Sequence, residues 1–159
     1  MLKREVNGVK ILLEQWKKYL NEAVKIGIEK AKEMVCPPAT QDVGINTKNR
    51  NLTIKNHMYG PLNFDEPGDY WEKIADKWDT TEEAAKKSLC GNCVAFDISP
   101  RMKECMPGEV SEGDGELGYC WMHHFKCHSL RTCDTWAKGG PITDDLISIG
   151  WQEKNNPGE

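Results

Sequence analysis

The sequence is poor in large aliphatic and phenyl side chains: Leu, Ile, Val and Phe together number 30 of its 159 residues. A chain of this length is expected to fold as one domain, or as one domain with an appendage. So few apolar residues make a thin hydrophobic core, and a thin core stabilises a domain only weakly. We therefore expect another kind of interaction to hold part of the chain together. The six Trp and seven Cys residues are the candidates.

Other absences exclude whole classes of protein. No apolar run approaches the roughly 18 residues that a membrane-spanning helix needs, so we expect no membrane partner. Residues 1–6 carry charges without a continuous apolar stretch, and we expect no secretion by a signal peptide. The formal net charge of −4 gives no basic surface for nucleic acid. An odd number of cysteines in a chain made inside the cell argues against a disulfide framework and favours a metal site.

Enzyme motifs are missing as well. The sequence contains neither a glycine-rich nucleotide-binding loop nor the short motifs of the common hydrolases and zinc proteases. Nothing else in the sequence indicates a substrate pocket. We therefore expect a protein that is not an enzyme.

The first 36 residues are predicted to form one long helix, which spans residues 6–35 and ends near Cys36. Apolar residues recur in steps of three and four from Val6 to Ala23, which places them on one stripe of the helix. Two prolines follow Cys36, and the residue before a proline avoids the helical region. The stripe can pack on its own domain, or dock on a partner or on another copy of the chain.

The remainder of the chain is predicted to alternate between irregular and helical segments. Residues 37–68 are poor in apolar residues and rich in Asn, Pro and Gly, which predicts an extended arm that wraps over a surface. Residues 69–78 have helical apolar spacing, and a second short helix is predicted to begin at Thr80, with Glu83 completing a capping box. Residues 69–140 are expected to join these two helices to a loop-rich, cysteine-ligated metal domain with short strands. Residues 141–159 are expected to form a tail. The predicted fold class is thus α plus irregular structure.

Cysteines supply the strongest signal in the sequence. Six of the seven lie within 44 residues, at Cys90, Cys93, Cys105, Cys120, Cys127 and Cys133. The first two have the Cys-x₂-Cys spacing of a knuckle, in which two thiolates reach one metal centre. A redox dithiol uses the same spacing, but no βαβ pattern surrounds this one. A Cys–His nucleophile is also disfavoured, because a crowded group of thiolates suits metal ligation better.

The residues alone are compatible with two kinds of metal centre. A zinc site would combine the knuckle with Cys120 and His123, or with Cys127 and Cys133. An iron–sulfur cluster would take four thiolates, and the best set is Cys90, Cys93, Cys120 and Cys133, with Cys127 the first alternate. The two remaining cysteines, Cys36 and Cys105, are expected to be buried free thiols whose removal is mild.

Aromatic residues near the ligand candidates favour the iron–sulfur cluster over zinc. A structural zinc needs no aromatic surroundings, whereas a cubane cluster gains from apolar walls that keep water from its sulfurs. We therefore expect a [4Fe–4S] cluster, with zinc as the alternative. The residues expected to form the walls are Phe96, Tyr119, Trp121, Phe125 and Trp136.

The ligand pattern resembles that of high-potential iron–sulfur proteins. The Cys-x₂-Cys pair, then Gly118-Tyr-Cys120, then Cys133-x-x-Trp136 follow one another as the ligands of that family do, over residues 88–140. The gap between Cys93 and Cys120, at 26 residues, is longer than in that family. The resemblance implies a [4Fe–4S] cluster held by four thiolates.

A broader resemblance extends over most of the chain. The segments that begin at Cys36, Tyr59, Cys90 and Cys133 are similar to a small protein encoded by tailed phages and described as resembling high-potential iron–sulfur proteins. This resemblance implies a setting in a phage virion or in the cytoplasm of an infected cell. Two roles follow: a structural or accessory virion component, or a soluble electron carrier. In the first role, the N-terminal helix and the arm would contact other virion proteins or copies of the chain.

Overall fold

A computed structural model describes residues 13–22, 36–108 and 114–155 of the chain, which divides into two compact units, Met1–Met34 and Val35–Glu159. In the first unit, residues 13–22 are helical, and we call this segment α1. The predicted N-terminal helix is confirmed there, and its other residues lie outside the described part. The side chains of Leu13, Trp16 and Leu20 in α1 are all more than half exposed.

The second unit combines short helices with one small sheet. Three antiparallel strands pair in the order β1-β2-β3, and Cys120 at the end of β2 pairs with both Phe96 and Phe125. The fold is therefore mixed α and β, and the strands are short, as predicted. The elements are α2 (Pro38–Gln41), α3 (Val43–His57), α4 (Tyr70–Trp78), α5 (Glu82–Lys87), a 3₁₀ turn (Cys90–Asn92), β1 (Phe96–Asp97), α6 (Pro100–Cys105), β2 (Leu117–Cys120), β3 (Phe125–His128) and α7 (Asp145–Lys154).

The extended arm predicted over residues 37–68 is wrong for its first two thirds, where α2 and α3 lie. Helix α3 begins after Asp42, whose side chain accepts a hydrogen bond from the backbone N–H of Ile45 at 3.1 Å. Thr53 is its one buried residue, so the helix has no apolar stripe. Apolar periodicity, the main sequence signal for a helix, therefore could not reveal α3.

Helix α3 is held to β3 by two asparagine side chains that bond to backbone groups. The Asn49 amide donates to the carbonyl of His124 at 2.7 Å, and the Asn46 side-chain oxygen accepts from the backbone N–H of Lys126 at 2.7 Å. Both asparagines are half-buried. Hydrogen bonds to backbone groups therefore hold α3 against β3, whereas apolar burial holds an ordinary surface helix in place.

We expect Asn46→Ala and Asn49→Ala each to lower the free energy of unfolding by about 1–3 kcal/mol, because each leaves a partly buried backbone group without its partner. Asn51→Ala is the matched control, since Asn51 lies on the exposed side of the same helix; its cost should stay within about 0.5 kcal/mol. Equilibrium denaturation by urea measures all three. Equal losses at the three positions would contradict the hydrogen-bonded docking of α3.

Helices α4 and α5 lie close to where apolar spacing predicted them. The first begins at Tyr70 rather than residue 69, and the second is capped by Thr81 rather than Thr80: the Thr81 hydroxyl accepts from the backbone N–H of Ala84 at 3.1 Å. The two helices bury a small apolar group against each other, with aromatic and Met side chains packed around it. Its members are Ile74, Ala75 and Ala85, surrounded by Met58, Tyr70, Trp71 and Trp78.

The C-terminal tail predicted over residues 141–159 is wrong for residues 141–155, which pack beside the sheet and form a helix. Ile142 is 4% exposed, and its backbone donates to Phe96 and accepts from Ile98 beside β1. Helix α7 follows, and its buried Ser148 hydroxyl donates to the carboxylate of Asp97. Asp97 is fully buried and also accepts from the indole of Trp121 at 2.9 Å. Within the described ranges, no helix has both the length and the apolar character needed to cross a bilayer.

Candidate metal centre

The Cys90–Cys93 knuckle is a 3₁₀ turn fixed by backbone hydrogen bonds to the segment that follows β3. The N–H of Cys90 donates to the carbonyl of Arg131 at 2.7 Å, and the N–H of Gly91 donates to Ser129 at 2.9 Å. Within the turn, Cys93 N–H donates to the Cys90 carbonyl at 2.9 Å. These bonds hold both thiols on one side of the turn before any ligand is considered.

Gly140 allows a second chain segment to pass directly over the knuckle. A Cβ atom built on Gly140 would lie 1.7 Å from the carbonyl oxygen of Cys93, a distance that no side chain can occupy. The backbone of this segment pairs with the knuckle through the N–H of Val94, which donates to Ala137 at 2.8 Å. Glycine is required here because the two backbones approach so closely.

The other thiols come from three different parts of the fold. Cys120 ends β2 and Cys127 lies in β3. Cys133 follows Thr132, whose backbone exchanges two hydrogen bonds with Gly60, at 2.7 and 3.0 Å. The end of α3 adds a third bond, from the N–H of Asp134 to the carbonyl of residue 57, at 2.8 Å. The helix that the sequence did not predict therefore helps to place Cys133.

Five cysteines line one pocket, which we call the thiol pocket: Cys90, Cys93, Cys120, Cys127 and Cys133. Each is buried, with an exposed fraction between 2% and 8%, and none forms a disulfide. The four predicted ligands thus lie together, and the alternate Cys127 is the deepest of the five. The remaining lining residues are Phe96, Met122, Thr132 and Trp136.

Burial keeps most of these thiols protonated in the absence of a cation. It raises the pKa of Cys133 to about 12, with the neighbouring Cys90 and Cys120 adding to the effect. Burial also raises the pKa of Cys93 and, most strongly, that of Cys127. The pKa of Cys120 is lowered instead, first by a hydrogen bond with the Cys127 thiol. Several thiolates can therefore coexist here only with a bound cation to balance their charge.

The aromatic walls are smaller than the sequence predicted. Phe96 and Trp136 line the thiol pocket, and the Trp136 indole is fixed by bonds to the carbonyl of residue 89 and the side chain of Asn92. Tyr119, Trp121 and Phe125 are buried in the core beside it, where Tyr119 packs edge-on against Trp121 at 4.8 Å. Sequence proximity to a cysteine could not separate the residues that line the thiol pocket from those buried beside it.

His123, the alternate ligand of the predicted zinc site, contacts Thr135 and is not among the residues that line the thiol pocket. Its Nε2 atom is 2.7 Å from the hydroxyl of Thr135, which is in turn 3.1 Å from the sulfur of Cys133. Its ring stacks on that of His57, with centroids 4.4 Å apart. Burial, together with the neighbouring charge of His57, lowers the pKa of His123 to about 4, so the ring is neutral at pH 7.

The donor set of the pocket is all sulfur, and its walls are almost entirely apolar. In the described part of the chain, no three His, Cys, Asp or Glu side chains are placed to hold a single metal ion. The sulfurs of Cys90, Cys120 and Cys127 are nevertheless close enough for hydrogen bonds between the thiols. Soft thiolate donors in apolar surroundings suit iron–sulfur clusters, zinc and copper(I) in ligand chemistry.

The two cysteines outside the pocket form a disulfide, which corrects the prediction of two free thiols. Cys36 and Cys105 are bonded across 69 residues, with Cα atoms 5.5 Å apart. The seven cysteines divide into one disulfide and five free thiols, and their number alone does not predict this division. The bond joins the segment before α2 to the end of α6, so the expectation of a mild effect on removal loses its basis.

No family model matches the chain, and no curated protein or solved structure is significantly similar to it. The resemblance to high-potential iron–sulfur proteins therefore stands on the ligand spacing alone.

Proposed function

We propose that this protein binds a [4Fe–4S] cluster through Cys90, Cys93, Cys120 and Cys133, with Cys127 as the alternate ligand, and that the cluster stabilises the fold. One observation carries the proposal: five buried, unpaired thiols line a single pocket in a chain that uses its other two cysteines for a disulfide. Buried thiols gathered this closely, from four separate parts of the fold, gain nothing from one another without a metal.

The surroundings of the thiols favour a cluster over zinc. A structural zinc needs only four ligands around one ion, whereas a cubane cluster also gains from walls that keep water from its sulfurs. The apolar side chains of Phe96, Met122 and Trp136 exclude water as a cluster requires.

The cluster would work as a structural link in a phage virion component. Its ligands join the knuckle, two strands of the sheet and the segment held by α3, parts that backbone hydrogen bonds also connect. Contact with other virion proteins or with copies of the chain would use α1, whose apolar residues are exposed. The arm adds no support to this role, since most of it is helix packed within the unit.

Electron transfer is the second candidate, favoured by the position of the pocket. Cys93 and Cys133 each retain 8% exposure, and Trp136 beside them is only half-buried, so the thiols lie near the surface. A cluster at this depth is accessible to a redox partner, and its solvent exposure would help to set its potential.

We expect protein purified without oxygen to be brown and to contain four irons and four sulfides per chain. Anaerobic handling matters, because oxidised clusters are lost and zinc then occupies the thiolates. Iron and sulfide assays, together with the visible absorption spectrum, measure the content. A colourless protein with one zinc per chain would overturn the cluster and leave the zinc-stabilised module in its place.

The two roles differ in where the protein is found. A virion component is expected in purified particles at a fixed copy number, which quantitative mass spectrometry measures. An electron carrier is expected to be absent from particles and to show reversible reduction at a defined potential as a free monomer.

A further inference from the structure

We propose that Thr132 binds the cluster directly, by donating a hydrogen bond from its hydroxyl to one of the inorganic sulfides. The inference rests on the proposed function, since only an iron–sulfur cluster brings sulfide into the thiol pocket. It assigns a role to a side chain that lies outside both the predicted ligand set and the predicted aromatic walls.

The side chain of Thr132 is buried at the thiol pocket with its hydroxyl unpaired. The residue is 0% exposed and lines the pocket, and its hydroxyl oxygen has no hydrogen-bond partner among the described residues. A buried hydroxyl without a partner has lost its hydrogen bonds to water and gained none in exchange, so each such group calls for an explanation. Valine has nearly the same shape and would avoid this loss.

The backbone of Thr132 is fixed, so the residue cannot move away to find a partner. Its N–H donates to the carbonyl of Gly60 at 2.7 Å, and its own carbonyl accepts from the N–H of Gly60 at 3.0 Å and from the hydroxyl of Tyr70 at 3.2 Å. The preceding residue is held as well, because Nε of Arg131 donates to the carbonyl of Pro61 at 3.0 Å. The partner of the hydroxyl must therefore come to it.

None of the five thiols is that partner. In the described part of the chain, no cysteine sulfur lies within hydrogen-bond reach of the Thr132 hydroxyl, whereas the hydroxyl of Thr135 is 3.1 Å from the sulfur of Cys133. A zinc or copper(I) ion would add no acceptor, because a metal cation accepts no hydrogen bond. An iron–sulfur cluster adds inorganic sulfides, which do accept them. The unpaired hydroxyl therefore fits a cluster and not a single metal ion.

The chemistry of the two partners fixes the direction of this bond. A bridging sulfide carries lone pairs and no hydrogen, so the hydroxyl must donate. Among the described residues that line the pocket, the other nitrogen or oxygen donor is the indole of Trp136, which already donates to the carbonyl of residue 89 and to Asn92. Cysteines that act as ligands carry no hydrogen to donate. Thr132 is thus the uncommitted side-chain donor of the loaded pocket.

Resonance Raman spectra recorded in H₂O and in D₂O test the bond on protein with four irons per chain. Deuteration shifts the bands of the iron–sulfide bonds when a sulfide accepts an exchangeable hydrogen. We expect this shift in the unaltered protein and in Thr132→Ser, which keeps the hydroxyl, and a smaller shift in Thr132→Val, which removes it. The bond also stabilises the more negative, reduced state, so the midpoint potential of Thr132→Val should be lower and that of Thr132→Ser close to the unaltered value.

Thr40→Val is the matched control for the loss of a buried hydroxyl. Thr40 is 8% exposed, its hydroxyl donates to the carbonyl of Pro37 at 2.6 Å, and it does not line the thiol pocket. Its replacement should lower the stability of the protein but leave the deuterium shift and the midpoint potential unchanged. If Thr132→Val takes up no iron, Thr132→Ala supplies the test, because it lacks the donor and has a smaller side chain.

Two results would overturn the inference. The first is an equal shift of the iron–sulfide bands in Thr132→Val and the unaltered protein, which would mean that the hydroxyl bonds a buried water. The second is a difference confined to the iron–cysteine bands, which would mean that the acceptor is a ligand thiolate. Failure of the unaltered protein to take up iron would instead refute the proposed function, so the two failures are distinguishable.

Discussion

Replacing Cys93 or Cys133 by alanine should abolish iron binding and unfold the chain beyond about residue 88. Metal binding in small domains is folding free energy, about 10–16 kcal/mol for structural zinc sites, whereas a whole domain is stable by only about 5–15 kcal/mol. The same loss is expected for Cys90→Ala and Cys120→Ala. Iron content and the near-ultraviolet circular dichroism of the aromatic residues around the sheet measure the two effects.

Cys127→Ala is the matched control for this experiment. Cys127 is the most deeply buried thiol of the pocket, at 2% exposure, and lies on the same sheet as Cys120. As a side chain outside the ligand set, it should cost about 1 kcal/mol in stability and leave the iron content at four per chain. Complete loss of iron in Cys127→Ala, with retention in Cys133→Ala, would show that these two residues exchange roles.

Removing the disulfide should destabilise the protein by about 4 kcal/mol, the second large effect. The bond between Cys36 and Cys105 closes a loop of 69 residues, and cross-links of that length restrict the unfolded chain by about this amount. Cys36→Ala, Cys105→Ala and the double variant should lose equal stability, because each breaks the same single bond. Denaturation with and without a thiol reductant measures the loss.

Iron binding separates the disulfide from the thiol pocket. All three disulfide variants should still bind four irons, in contrast to Cys93→Ala, and reductant should destabilise the unaltered protein but not the double variant. If the stability losses of Cys36→Ala and Cys105→Ala add up in the double variant, the two residues do not share one bond. Loss of iron in Cys36→Ala would contradict the assignment of Cys36 to a disulfide.

Sequence patterns predicted the parts of the fold that depend on apolar burial or on chemistry specific to a residue type. Helix α4 was found because Ile74 and its neighbours bury one face, and the thiol pocket was found because cysteines are rare and were crowded within a short segment. The four proposed ligands do lie together. Cys127 was identified as their alternate from its position in the chain, which could not tell how deep it would lie.

The missed elements are those held by polar contacts between distant segments. Helix α3 depends on Asn46 and Asn49, which bond to backbone groups about 75 to 80 residues away. Helix α7 is tied down by a buried hydrogen bond from Ser148 to Asp97. In both cases the partner of each polar group is distant in the sequence and is visible only in three dimensions. The disulfide was missed for the same reason.

The two halves of the thiol pocket are synthesised at different times. Cys133 follows Cys93 by 40 residues (133 − 93), which takes about 2–8 s at translation rates of ~5–20 residues per second. During that interval α3, α4 and α5 have already been synthesised, but the knuckle has neither Arg131 nor the Gly140 segment to hold it. With the proposed ligand set, metal loading would therefore have to wait for the C-terminal third of the chain.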